Sequence, residues 1–137
     1  MVKVIMGLKG SGKTKQMIDS INNAVKEEPG VMVCIEKSDK LRFDIDYRVR
    51  LIESGEYEMD GYSSLKGFIS GLHAGNFDIT HIFIDSLYKV ANCEGDIAET
   101  ESFLDWCDAF GKNNNMSFTI TISDDIKKAT PGIEKFF

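Results

Sequence analysis

Along the chain, short apolar runs alternate with segments in which apolar residues recur every three or four positions. The runs are continuous and rich in β-branched residues, as in strands covered on both faces, and they comprise residues 2–6, 31–35, 80–84 and 117–122. The segments between them predict amphipathic helices, with stripes at Met17, Ile18, Ile21 and Val25, at Tyr62, Leu65, Ile69 and Leu72, and at Phe103, Leu104, Cys107 and Phe110. This alternation predicts an α/β fold of three layers, in which helices enclose a mostly parallel sheet.

Turn and capping residues mark the ends of these helices. Pro29 and Gly30 end the first helix. Asp96 and Glu99 form a capping pair that begins the last helix, and Gly111 is its predicted end.

Residues 41–51 follow a different pattern, a strict alternation of apolar and charged side chains. The apolar members are Leu41, Phe43, Ile45, Tyr47, Val49 and Leu51, and the charged members are Arg42, Asp44, Asp46, Arg48 and Arg50. A period of two predicts extended structure with one wet face, so we expect this fifth strand near a sheet edge. It is either one long strand or a hairpin bent near residues 44–46.

The length of 137 residues predicts a single domain, with a core over residues 2–123 and a polar tail over residues 124–137. The tail has an apolar tip, and it is either docked through Phe136 and Phe137 or disordered.

Charge and hydropathy narrow the range of functions. A net charge of −6 and a pI of about 4.9 argue against bulk nucleic-acid binding, which depends on Lys and Arg. The sequence has no signal-peptide core and no membrane-length apolar run, so we expect a cytoplasmic protein without a membrane span. Cys34, Cys93 and Cys107 lack metal-site spacing and suit reduced, mostly buried thiols.

The most specific motif is G-x-x-x-x-G-K-T over residues 7–14, which stands between the first predicted strand and the first predicted helix. This is the context of a phosphate-binding P-loop. The predicted nucleotide-binding residues are Gly7, Leu8, Lys9, Gly10, Ser11, Gly12, Lys13, Thr14 and Lys15.

Each residue type in the motif has a physical role. Glycines allow the backbone N–H groups to approach phosphate oxygens closely, and the helix N-terminus favours the same anion. Lys13 is expected to bridge the β- and γ-phosphates and so to take part in catalysis, while the Thr14 hydroxyl would bind Mg²⁺. We interpret Lys9 as a solvated charge near the phosphates.

Asp85 directly follows the apolar run Ile82–Ile84. In a parallel sheet this carboxylate would emerge at the same edge as the P-loop, where it would hold Mg²⁺ through water. We therefore predict that Thr14 and Asp85 form the metal site.

The segment Ile84-Asp85-Ser86-Leu87 resembles the aspartate-serine-leucine form of the Walker B strand in RecA-like ATPases, which include recombinases, clock ATPases and replicative helicases. The resemblance implies a spatial strand order of 1-5-4-2-3. It also implies that Glu36, at the end of the strand after the P-loop helix, is the general base, with Asp39 as a competitor. Ser123 would be the polar sensor at the end of a later strand.

The chain is also similar to short, uncharacterised bacterial ATP-binding proteins. Such proteins are labelled by analogy with pilus-retraction (twitching motility) ATPases because both share the G-S-G-K-T core. The acidic and histidine boxes of those motors are missing from this sequence.

These features predict a protein that binds Mg-ATP and hydrolyses it slowly, coupled to a partner or to self-assembly. GTP is disfavoured because the chain has no N-K-x-D sequence, and Tyr88 stands where a D-x-x-G switch would need glycine. One alternative is a small-molecule or nucleoside kinase, which usually brings several arginines over the phosphates. The other is a regulatory module that binds nucleotide without hydrolysing it.

The three arginines of the chain, Arg42, Arg48 and Arg50, all lie in the alternating segment. They either present a charge to the γ-phosphate of a neighbouring subunit or pair with nearby acids and keep the sheet edge soluble.

Overall fold

Five strands form one parallel sheet in the computed structural model, which describes all 137 residues. The strands are β1 (Val2–Gly7), β2 (Val31–Glu36), β3 (Arg50–Glu53), β4 (Ile79–Ile84) and β5 (Ser117–Ser123). The helices are α1 (Lys13–Glu27), α2 (Gly61–Gly75), α3 (Leu87–Ala91), α4 (Ile97–Asn114) and α5 (Pro131–Glu134). The strand order is β1-β5-β4-β2-β3 and every pairing is parallel, which confirms the predicted order.

The sheet buries both of its faces, which explains why its strands read as continuous apolar runs. On one face, Met17 and Ile21 of α1 pack with Cys34 and Phe83 of the central strands. On the other face, α2 to α5 cover a larger cluster; its members include Ile35, Ile84, Leu65, Phe103, Leu104 and Ile120.

The ends of α4 show one prediction confirmed and one that is wrong. Asp96 caps the helix, and its carboxylate accepts a hydrogen bond of 2.9 Å from the Glu99 N–H. The helix continues past Gly111 to Asn114. Gly111 instead permits a close approach, since a Cβ atom there would collide with the Met116 carbonyl oxygen.

The prediction of one strand or hairpin over residues 41–51 is wrong. Only residues from Arg50 onward join the sheet, as the edge strand β3, and the preceding residues form successive turns. Every fourth residue is buried rather than every second: Leu41, Ile45 and Val49 pack in the α1 cluster, whereas Phe43 and Tyr47 are 94% and 93% exposed. We call residues 37–49 the β2–β3 loop.

The arginines of this region pair mainly with neighbouring acids. Arg48 contacts Asp46 at 2.8 Å and Arg42 contacts Glu53 at 2.9 Å, whereas Arg50 forms no ion pair. These contacts agree with the second alternative, in which the arginines pair with nearby acids and keep the sheet edge soluble.

The tail is docked on the sheet. Ile133 is fully buried, Phe136 is 8% exposed, and the Phe136 carbonyl accepts a hydrogen bond of 2.8 Å from the Val4 N–H of β1. Phe137, the other predicted anchor, stays 42% exposed. Among the helices, none combines the length and apolar character that crossing a membrane requires.

Candidate functional site

The loop between β1 and α1 has the backbone geometry that its glycines predict. Gly10 and Gly12 have φ angles of 85° and 88°, in the left-handed region that favours glycine. Gly12 also precedes the first residue of α1, and no side chain caps the N–H groups there. The first turn of α1 contains no acidic residue, so the helix end keeps its full attraction for an anion.

The Lys13 side chain lies back across this loop. Its Nζ donates hydrogen bonds to the Leu8 carbonyl at 2.8 Å and to Ser11 Oγ at 3.5 Å, and the residue is only 7% exposed. The close packing beneath it depends on Gly7, because a Cβ atom there would lie 2.6 Å from Ser11 Oγ. The ammonium group is thereby held over the loop, within reach of a phosphate bound there.

Asp85 follows β4 and is held by a residue that the sequence analysis missed. The Thr121 hydroxyl of β5 donates to Asp85 Oδ1 at 2.8 Å and accepts a 2.8 Å hydrogen bond from the Ser86 N–H. Asp85 is 5% exposed, and its own N–H donates to the Ile35 carbonyl at 3.0 Å. Nothing in the sequence singles out Thr121, because β5 contains four hydroxyl residues, Ser117, Thr119, Thr121 and Ser123.

Glu36 ends β2 on the same face of the sheet, and the β2–β3 loop holds its carboxylate. Oε2 accepts a 3.2 Å hydrogen bond from the Leu41 N–H, and Oε1 accepts one of 3.4 Å from the Ser38 hydroxyl. Burial raises the pKa of Glu36, and the negative charge of Asp85 raises it further, while the Leu41 N–H opposes the shift. The net result is a pKa above the usual value of 4.5.

A cleft of about 510 Å³ at the carboxyl edge of the sheet brings most of these residues together. The predicted residues that line it are Lys9, Gly10, Gly12, Lys13, Thr14, Lys15, Glu36, Asp85 and Ser123. Further lining residues that sequence reasoning missed are Lys37, Ser38, Lys40, Leu41, Ser86 and Lys89.

The remaining predicted residues lie outside the lining. Gly7, Leu8 and Ser11 support the loop through the contacts already described. Asp39, the competitor of Glu36, is also outside, and its carboxylate lies 3.8 Å from the Arg42 guanidinium. Ser123 reaches the cleft because it is the register partner of Gly7, where the loop begins.

The donor set of the cleft fits Mg²⁺. Thr14 offers a hydroxyl and Asp85 a carboxylate, and such oxygen ligands suit this hard cation. Thr121 engages only Asp85 Oδ1, and Oδ2 makes no hydrogen bond within the protein. A cation bound between Thr14 and Asp85 would therefore meet a carboxylate that is already oriented.

Neither protein-family models nor curated protein sequences match this chain. Solved structures, in contrast, match it over nearly its whole length. A KaiC-like protein from Pyrococcus horikoshii OT3 aligns with a TM-score of 0.68 at 15% identity, over 98% of this chain and 68% of that protein. The flagellar accessory protein FlaH from Methanocaldococcus jannaschii aligns with a TM-score of 0.60 at 13% identity, over 98% of this chain and 65% of its own length. This chain therefore spans about two thirds of each neighbour, and the neighbours give no support to the expected bacterial origin.

Proposed function

Because the chain has the RecA-like P-loop NTPase fold, we propose that it binds Mg-ATP in the cleft and hydrolyses it slowly. The observation that carries the proposal is the shared lining of one cleft by the P-loop, Glu36 and Asp85. A Gly-rich turn with only a structural role would not require residues of three separate segments to line the same cleft.

Phosphate binding is supported by the loop and the helix that follows it. Backbone N–H groups of residues 10–14 and the Lys13 ammonium would hold the phosphates, while Thr14 and Asp85 would hold Mg²⁺. When bound, Mg²⁺ neutralises negative charge on the phosphate oxygens.

Hydrolysis would use Glu36 as the base that orients and deprotonates water. Its carboxylate is held by the Leu41 N–H, and its raised pKa makes it a stronger base than an exposed glutamate while it is ionised. No arginine lines the cleft, so the chain supplies no guanidinium to the transferred phosphoryl group. Such an arginine accelerates turnover about 10³- to 10⁵-fold in related chemistry, which is why we expect slow hydrolysis.

The test is thermal unfolding with Mg-ATP, followed by measurement of phosphate release. Mg-ATP at ~100 times its Kd should raise the free energy of unfolding by about 2.7 kcal/mol. Lys13→Ala should remove most of this gain, whereas Lys26→Ala, at an exposed site in the last turn of α1, should retain it.

An unchanged melting temperature with every nucleotide tested would contradict the proposal. Tight binding without any phosphate release would instead favour the regulatory module over the ATPase. GTP, ADP and Mg²⁺-free samples complete the panel.

A further inference from the structure

The cleft is basic although the protein is acidic. Six lysines and only two carboxylates line it, whereas the rest of the chain has ten basic and twenty acidic residues. None of the six lysines, which are Lys9, Lys13, Lys15, Lys37, Lys40 and Lys89, forms an ion pair. The three on the P-loop and the start of α1 are accounted for by a triphosphate, and the other three are not.

Lys37 and Lys89 lie where the cleft continues beyond Glu36 and Asp85. Both also line two adjoining cavities of about 390 and 170 Å³, which we call the side groove. Its other lining residues are Ser54, Gly55, Tyr57, Met59, Tyr88, Val90, Asn92, Cys93 and Glu94. The side groove therefore adjoins the nucleotide cleft at Lys37 and Lys89, which line both.

The backbone at Lys37 and at Lys89 is fixed by specific contacts. The Lys37 carbonyl accepts a 3.0 Å hydrogen bond from the Gly55 N–H, and a Cβ atom at Gly55 would lie only 2.6 Å from that oxygen. Close approach of the two segments thus depends on glycine at position 55. On the other side, Lys89 extends from α3, whose Leu87 and Val90 are fully buried.

Asn92 joins the two sides of the side groove. It has a left-handed backbone with φ of 54°, and its Nδ2 donates a 3.0 Å hydrogen bond to the Met59 carbonyl. This hydrogen bond connects residues 54–59 with residues 88–94, and these two segments form the walls of the side groove together with Lys37.

We infer that Lys37, Lys40 and Lys89 form a second anion subsite, which takes the phosphate monoester group of a small molecule. Lysine ammonium groups act as mobile point charges, and a phosphate dianion offers them several acceptor oxygens. The uncharged part of the ligand would lie in the side groove, where Ser54 and Asn92 offer polar groups and Tyr57 an exposed ring. The inference rests on the proposed function, since it assumes that the P-loop holds the nucleotide.

The volumes favour a small ligand over a macromolecule. The two cavities together have the size range of small-molecule pockets. The acidic residues that dominate the remaining surface would repel an extended nucleic-acid backbone.

The experiment saturates the chain with the Mg²⁺ complex of a non-hydrolysable ATP analogue, so that the triphosphate position is filled. Glycerol 3-phosphate is then titrated by calorimetry at constant ionic strength, with inorganic phosphate and glycerol as comparison ligands. Saturable binding of glycerol 3-phosphate, with none of glycerol, is the expected result.

Two double variants test the location. Lys37→Ala with Lys89→Ala should raise the Kd of glycerol 3-phosphate about tenfold or more. Lys26→Ala with Lys112→Ala removes the same charge at the opposite edge of the sheet and should leave the Kd unchanged.

The outcomes separate this inference from the proposed function. Failure of the ATP analogue to bind would overturn the proposed function. Normal binding of the analogue without saturable binding of glycerol 3-phosphate would overturn the second subsite alone, as would equal affinity in the two double variants. Binding of inorganic phosphate without the ester would overturn the assignment to a phosphate monoester.

Discussion

Glu36 occupies a position in which its charge is unfavourable for folding. Burial and the neighbouring Asp85 raise its pKa, so the folded chain holds this proton more tightly than the unfolded chain does. Below the usual pKa of 4.5, both states are protonated and the site has no electrostatic cost. As the pH rises from 4.5 through the raised pKa of the folded state, the free energy of unfolding falls. Above that pKa it stays lowered by the full cost of keeping the Glu36 charge buried beside Asp85.

Glu36→Gln should therefore separate stability from catalysis. The variant stays neutral at every pH and keeps an oxygen for the Leu41 N–H, so it should unfold at a higher temperature than the wild type at pH 8. Its advantage should shrink as the pH falls toward 5. Phosphate release should slow by about 10²-fold or more, because the base is lost, while ATP binding should persist.

Thermal unfolding at both pH values and a phosphate-release assay check these outcomes. Glu58→Gln, at an exposed position, is the matched control and should change neither property. A Glu36→Gln protein that is no more stable at pH 8, or that hydrolyses ATP at the wild-type rate, would contradict the role assigned to this residue.

Sequence reasoning predicted those residues of the candidate site that lie together in one motif. The P-loop is one continuous motif, so the spacing around Lys13 predicted a phosphate-binding loop without any knowledge of the fold. Thr121 was missed because its partner Asp85 is 36 residues away and becomes a neighbour only through the pairing of β4 and β5. Lys37 and Lys89 were missed for the same reason, since their positions across one groove depend on the folded loop and α3.

At the scale of elements, the β2–β3 loop shows where a period of two misleads. The alternation is real, but the loop turns repeatedly, so only every fourth residue faces α1. Strands β1, β2, β4 and β5 were predictable because burial on both faces makes a strand continuous in apolar residues. The β2–β3 loop is held by three buried side chains, Leu41, Ile45 and Val49, and such widely spaced contacts produce no continuous apolar run.

Substitutions in the loop test this difference between anchors and exposed aromatic residues. Ile45→Ala should lower the free energy of unfolding by about 2 kcal/mol or more, because it removes buried apolar surface. Phe43→Ala and Tyr47→Ala should change it by less than about 0.5 kcal/mol, because both rings are exposed.

Urea unfolding of the three variants provides the measurement. A strand with one buried face would make Phe43→Ala as costly as Ile45→Ala. Equal losses would therefore support the extended structure that the alternation predicted and contradict the loop.

On the scale of the whole molecule, the strand order followed from the resemblance to RecA-like ATPases rather than from periodicity. Apolar runs specify which segments are strands but not which strands are neighbours. The P-loop and the segment around Asp85 carried the resemblance, and the resemblance implied the order. The docked tail had no equivalent signal, and its two alternatives stayed open until the contacts of Ile133 and Phe136 were known.

Removal of residues 131–137 should have a larger effect than the few contacts of this segment suggest. It would uncover the apolar surface beneath Ile133 and leave the Val4 N–H of β1 without the Phe136 carbonyl. The shortened chain should self-associate at a lower temperature and in proportion to its concentration, as light scattering would show. Ile133→Ala keeps the backbone contact and should lose stability without this association; a shortened chain that stays monomeric would contradict the expectation.

The docked tail thus covers the outer edge of β1, where the Val4 N–H donates to the Phe136 carbonyl. The tail can detach locally, which requires less free energy than unfolding of the sheet. On heating, aggregation would then be governed by the last seven residues, and it would begin while the cleft at the carboxyl edge of the sheet is still intact.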